Sequence, residues 1–469
     1  MNYNIAALFP EIILLVTLAA EVLAWKFRRK ATPKTFYTVA KCGIVGAFAA
    51  ALVLYNQSFA PYYTNDVYTT LFKLMVYLWG LGCFYLSLKW FLGMDRPSFR
   101  FYSLGLLSLL LLTAALSVND LWALFAVLEI GFALNYLLLK TESDTEETLA
   151  CARHFLLAAA GFALIGAWGV AELCQRAGSS DFAAVKVYLQ TAEMSLPLFM
   201  ACTAVLVGVL FKLGVAPFHF WMAQTVSGPI LPAACYLGLV PIFAYYAVLI
   251  KLISNVFMPM YWQFEEVMLV FGMTSIVIGV AGANSESNLR RIFAYVALFN
   301  MGIVLAVLAA FDAGSIHSSF VYLLSYMLAM SGVYTVFYGL KSKGEYLETL
   351  HDVSGLAAAK PMLAAAMLVF LISMLGLPPL FGFLGLVTVL NDLAARHAYW
   401  VVIVILVAKL LMAYAYLKVI KTLYFDSRSG MFDRVDKGIY ICLILTIALM
   451  IAVAVNPRFC LTVLQDFLN

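Results

Sequence analysis

Residues 119–139 read NDLWALFAVLEIGFALNYLLL. From Leu121 to Leu139 the run is apolar or small, with Glu129 and Asn135 as its two polar interruptions. A helix rises 1.5 Å per residue, so such a run reaches across roughly 30 Å of hydrocarbon. It reads as a membrane span with an acid near its middle. A charge at the bilayer centre costs about 2.5–3.5 kcal/mol on insertion scales, so Glu129 requires a partner or a task.

The rest of the chain repeats this pattern. Of 469 residues, 64% are hydrophobic and 12% charged, against about 25% charged in soluble domains. Mean hydropathy is +0.96. This excludes a soluble enzyme, a disordered chain and a nucleic-acid binder, and it makes the lipid bilayer the first partner. The sequence predicts fourteen spans, near 5–25, 37–55, 68–90, 101–117, 121–139, 151–173, 197–215, 230–253, 266–283, 289–310, 316–340, 361–391, 399–422 and 438–457. Spans must be helical because lipid leaves no partner for open backbone groups. The first run holds Glu11 and Glu21 and no basic leader, so it reads as a span and not a cleaved signal.

Lysine and arginine test the count. With the N-terminus outside, twenty fall at cytoplasmic ends, five (Arg176, Lys186, Lys251, Arg396, Arg458) fall on the opposite face, and Lys41, Lys73, Lys212 and Lys409 lie within spans. Both termini are therefore expected on the outer side. The polar stretch Gln175–Glu193 reads as a loop in preference to an interfacial helix. Eight cysteines show no CxxC and no Cys/His cluster, and read as small buried hydrophobes.

The in-span charges carry the chemistry. Glu129 and Lys212 are a titratable acid and a titratable amine. Moving a carboxylate near a buried amine can switch it between holding and releasing a proton, whereas a purely structural pair would favour arginine, which stays charged. The plainer reading is an ion pair that ties two helices together. Glu11 follows Pro10 and reads as a helix-start acid. Glu21 reads as a partner for the basic residues nearby. Lys409 reads as a buried lysine seeking an acid or a carbonyl.

Two spans are interrupted. FKLGVAPFHFW (211–221) places Gly214 and Pro217 just after Lys212, and FLISMLGLPPLFGFLG (370–385) gathers Gly376, Pro378, Pro379, Gly382 and Gly385. Proline removes a backbone donor and breaks the helix. Broken helices five spans apart suggest two five-helix units, spans four to eight and nine to thirteen, of opposite topology around a mid-membrane transport site. The expected division is 1–95 (three N-terminal helices), 96–254, 262–424 and 425–469 (a last helix). His219, past the first break, has a reference pKa of about 6.5 that suits a proton relay.

Those stretches, with EETLACARHFLLAAAGFALIG (146–166) and NLRRIFAYVALFNMGIVL (288–305), resemble the antiporter-like membrane subunits of respiratory complex I, above all the subunit N type of bacterial NADH:quinone oxidoreductase. The resemblance covers most of spans three to thirteen. It implies that Glu129 and Lys212 are the family's carboxylate and broken-helix lysine and that His219 is its histidine after the break. Arg153, or less well His154, stands where a lysine is common, and Lys73 matches an LFK-like stretch. It further implies other membrane-arm subunits as partners, no redox centre or cofactor in this chain, and NADH, flavin, iron–sulfur clusters and quinone in those partners. The setting would be the inner (plasma) membrane. Departures are Ile242 and Leu386 at usual lysine places, Asn300 for a histidine, and Ala223–Gln224 for proline–aspartate. Lys409 could stand in for the lysine lost at 386. The alternatives are a Mrp-type cation/proton antiporter, a membrane-bound hydrogenase subunit, or a degenerate scaffold that conducts nothing.

Overall fold

The computed structural model describes residues 4–27, 32–59, 62–94, 96–141, 146–222, 230–427 and 431–458, with the side chains of 146–152 excepted. Arg28, Arg29, Lys30, Ala223, Gln224, Arg428 and Cys460 lie outside them, as do the side chain of Cys151 and the acidic run 142–145. The described chain is an all-α membrane protein. Its long helices are α1 Phe9–Phe27, α2 Pro33–Val53, α3 Val67–Met94, α4 Phe99–Ser117, α5 Leu121–Leu139, α6 Glu146–Ala177, α7 Phe182–Thr191 and α8 Leu196–Leu213. They continue as α9 Leu231–Leu252, α10 Glu265–Ser285, α11 Leu289–Leu308, α12 Ala313–Gly339, α13 Pro361–Leu375, α14 Phe381–Ala395, α15 Tyr399–Tyr424 and α16 Lys437–Val455. Among the described residues, thirteen helices are long and apolar enough to cross a membrane, or fourteen if a bent pair is one span. All fourteen expected runs are helical, and the twelfth is divided between α13 and α14.

The contacts group the chain into two units, Met1–Gly214 with Gly228–Gln263, and Val215–Ser227 with Phe264–Asn469. In the first, α9 is buried along its whole length. A hairpin, Gln57–Phe59 with Tyr63–Asn65, links α2 to α3 and turns Tyr63 and Asn65 inward. In the second, α11 and α12 are the most enclosed elements. Arg396, after α14, pairs with Asp392 at 3.0 Å and with Asp312 at the start of α12.

One expectation fails. Residues 182–191 form a helix, α7, and not a loop. Phe182, Val185 and Leu189 are buried at helical spacing, Asp181 caps the first turn, and Lys186 Nζ donates to the Ser254 carbonyl at 3.0 Å. Val187, between them, is exposed. The signal was the 3–4 spacing of the other three apolar residues.

Small residues let α10 and α11 approach closely, the usual way to pack helices in lipid. A Cβ on Gly302 would lie 2.7 Å from the Gly272 carbonyl oxygen and 2.8 Å from the Ile276 nitrogen. Gly302→Ala is expected to destabilise the protein by about 1–3 kcal/mol through overpacking. Gly82→Ala, which meets nothing within 4 Å, is the control. Thermal unfolding in detergent should fall for the first and not for the second.

Candidate proton-transfer site

Helix α5 carries Glu129 and α8 carries Lys212 one residue before its end. Lys212 Nζ lies 2.5 Å from Glu129 Oε1 and 3.4 Å from the Gly208 carbonyl. The lysine is 2% exposed and the glutamate side chain 20%, so the acid alone keeps an open side. Phe132 lies under the ammonium at 5.3 Å, and Phe211 stacks on Phe162 at 4.3 Å. A cavity of roughly 30 Å³ adjoins the pair, lined by Glu129, Lys212, Leu121, Gly166, Gly208 and Leu252 among others. That is room for a water molecule or two.

The local sequence dictates this geometry. Gly214 ends α8 in the left-handed conformation, φ +68°, and its N–H bonds the Leu210 and Phe211 carbonyls. Glycine adopts that conformation without steric penalty. Pro217 cannot return an N–H to Leu213, so the helix stops. Lys212 thus sits in a last turn, where the helix dipole favours a cation. Beyond the break, Phe218–Trp221 makes one 3-10 turn carrying half-buried His219. The Ala216 N–H donates to Ser275 Oγ at 2.9 Å.

The second break follows the same rule. Gly376 ends α13 at φ +85°, its N–H on the Ser373 carbonyl and that of Leu377 on the Ile372 carbonyl. Pro378 lies four residues after Met374 and has no N–H for it. Lys409, on α15, supplies the missing donor, Nζ to the Met374 carbonyl at 2.8 Å. The rings of Tyr322 and Phe299 flank it at 5.2 and 5.5 Å. Tyr322 donates to Asn300 Oδ1 at 2.6 Å. Leu386 packs where a Cβ on Gly376 would be, 2.6 Å from its Cδ2.

The remaining candidates disperse. Lys73 is buried far along the sequence from the Glu129 pair, 2.6 Å from Glu11 Oε1. Glu11 is therefore an ion-pair partner and not only a helix-start acid. Arg153 and His154 are exposed on α6 and stand outside the Glu129–Lys212 pair. Glu21 takes a hydrogen bond from Ser103 at 3.0 Å, and the basic residues Arg28, Arg29 and Lys30 lie outside the described residues. Lys251, expected on the outer face, is 3% exposed. Its sequence position at the end of an apolar run disguised a lysine that folds back onto carbonyls. Among the described residues no cluster of His, Cys, Asp and Glu could hold a metal ion.

The fold and its two broken spans define an antiporter-like membrane subunit. The chain belongs to the NADH:quinone oxidoreductase/Mrp antiporter transmembrane family, whose profile matches residues 118–412. It is 27% identical over 434 residues to NADH-quinone oxidoreductase subunit N of Sphingopyxis alaskensis, covering 92% of this chain and 90% of that one. The subunit N of Erythrobacter litoralis is 27% identical over 473 residues, covering 97% and 95%. The fold matches a chain of respiratory complex I from Thermus thermophilus with TM-score 0.80 and 24% identity, over 96% and 97% of the two chains. It also matches a chain of the Mrp complex from Dietzia sp. DQ12-45-1b with TM-score 0.85 and 17% identity, over 99% and 96%.

Replacing Lys409 by Met would leave the Met374 carbonyl buried without its donor, at a cost of about 1–3 kcal/mol. Lys409→Met should lower the unfolding temperature in detergent, and Lys421→Met, at an exposed position, should not.

Proposed function

We propose that this chain is a proton-translocating membrane-arm subunit of a complex I-type NADH:quinone oxidoreductase. One observation carries the reading: a titratable acid and amine in contact beside a glycine–proline helix break, with a water-sized cavity at their side. Quinone reduction occurs in other subunits, which hold NADH, flavin, iron–sulfur clusters and quinone. Here the event is a proton changing hands between Lys212 and the water beside it, timed by the distance to Glu129. A carboxylate in contact holds the proton on the amine, and one that swings towards the cavity releases it. Desolvation makes both steps costly unless they are coupled.

Lys409 extends the reading to the second unit. Leu386 leaves the α13–α14 break apolar on one side, and Lys409 meets the same break from α15 through the Met374 carbonyl. His219, on the turn after the first break, is a further proton carrier. Lys73 and Arg153 contribute by other means than contact with Glu129. The setting is a bacterial inner membrane with both termini outward, as the twenty-to-five lysine and arginine bias supports. The division at 1–95, 96–254, 262–424 and 425–469 describes the sequence units of this machine.

Glu129→Gln and Lys212→Ala should leave the assembled complex present and its electron transfer running, with fewer protons pumped per electron in reconstituted vesicles. Wild-type stoichiometry in both variants would reduce the pair to a structural staple.

A further inference from the structure

The first unit holds two further buried lysines, Lys73 and Lys251, and their donor counts differ. Lys73 Nζ donates to Glu11 Oε1 at 2.6 Å, Asn65 Oδ1 at 2.8 Å and the Tyr63 hydroxyl at 3.2 Å. All three ammonium protons are engaged, and one engages a carboxylate. Lys251 Nζ donates to the carbonyls of Leu116 at 2.6 Å and Val118 at 2.8 Å. Two acceptors match the two N–H groups of a neutral amine, and among the described residues no carboxylate lies within ion-pair distance of it. Its neighbour across α7 is the Phe182 ring at 5.9 Å. The charged groups acting on it are Asp66, which caps α3 through the Thr69 N–H, and Lys73.

One short stretch holds both lysines. Residues 116 and 118 give their carbonyls to Lys251. The Ser117 hydroxyl between them donates to Asn65 Oδ1 at 2.6 Å, the same oxygen that accepts from Lys73. Of the two carboxylates that act on these ammonium groups, Glu11 contacts Lys73, and the exposed Asp66 is within ion-pair distance of neither. Repulsion therefore falls on the lysine without a carboxylate, Lys251. The cavity beside Glu129 and Lys212 points the same way. Its lining runs down α5 to Leu121 and reaches Leu252, the residue next to Lys251. Glu129 lies eight residues beyond Leu121, about 12 Å along the helix.

We infer that Lys251 is a second proton-carrying residue of the first unit, exchanging a proton with the Glu129–Lys212 pair through water in that cavity. This rests on the proton-transfer reading of the pair. The step balances simply. Lys251 as ammonium gives one proton to water, becomes an amine that keeps both carbonyl hydrogen bonds, and takes a proton back from the same water. Lys73, paired with Glu11, stays charged and sets the electrostatic bias. Ile242, nine residues earlier on α9, leaves the middle of that helix without a lysine, histidine or carboxylate, so the exchange runs along α5 to the start of the helix.

The test uses the whole respiratory complex, purified and reconstituted, with Lys251→Arg, Lys251→Met and Glu129→Gln compared for assembly, electron transfer and protons pumped per electron. Arginine can cap the same carbonyls but does not release its proton. The expected result is a Lys251→Arg complex that assembles and transfers electrons while losing pumping to the same extent as Glu129→Gln. Lys251→Arg pumping at the wild-type level would overturn the inference, whether or not Lys251→Met assembles, and would make Lys251 a cap for the end of α4. Glu129→Gln pumping at the wild-type level would instead overturn the reading of the pair itself.

Discussion

A cation cannot be left without oxygen in a hydrocarbon interior, and the four deeply buried lysines among the described residues meet that demand in different ways. Lys73 and Lys212 each take a carboxylate, at 2.6 and 2.5 Å. Lys251 and Lys409 take backbone carbonyls, at 2.6 and 2.8 Å for the nearest. The carbonyls come from places where helices end: Leu116 and Val118 at the end of α4, Met374 at the end of α13. Helix ends supply free acceptors, so every break or turn in the bundle is also a potential lysine seat. The arrangement of helix termini follows from this constraint as much as from packing.

Much of this was legible in the sequence. Fourteen apolar runs became fourteen helical runs, because in lipid the hydropathy pattern and the backbone's need for partners agree. The Glu129–Lys212 contact followed from two costly charges in spans five and seven of one five-helix unit. The breaks at 214–217 and 376–379 followed from glycine and proline chemistry. Lys409, a lysine within an apolar span, needed an acid or a carbonyl, and the second break supplies the Met374 carbonyl.

What stayed hidden was set by tertiary direction. Glu11 looked like a helix-start acid because Pro10 precedes it, but its partner Lys73 lies 62 positions on. Lys251 looked like a face-marking basic residue because it ends an apolar run. Nothing in the run says that its side chain bends back to residues 116–118, which are 135 and 133 positions away. Asn65 joins these groups from a three-residue strand whose register turns it inward, and so short a strand carries no periodic signal. The helix at 182–191 was readable, but only with the 3–4 spacing given more weight than the polar residues between.

The burial of α9 along its whole length sets it apart from α1, α2 and α16, whose outer faces are open. All 22 of its residues have protein for a solvent. Bilayer thickness and acyl-chain composition therefore have no direct contact through which to act on it. They act on the peripheral helices, which bend or tilt to match the membrane. A change of lipid should then alter how tightly the subunit is held at its margins while leaving the seat of Lys251 unaltered, and adaptation to a new membrane can proceed at the rim without retuning the interior.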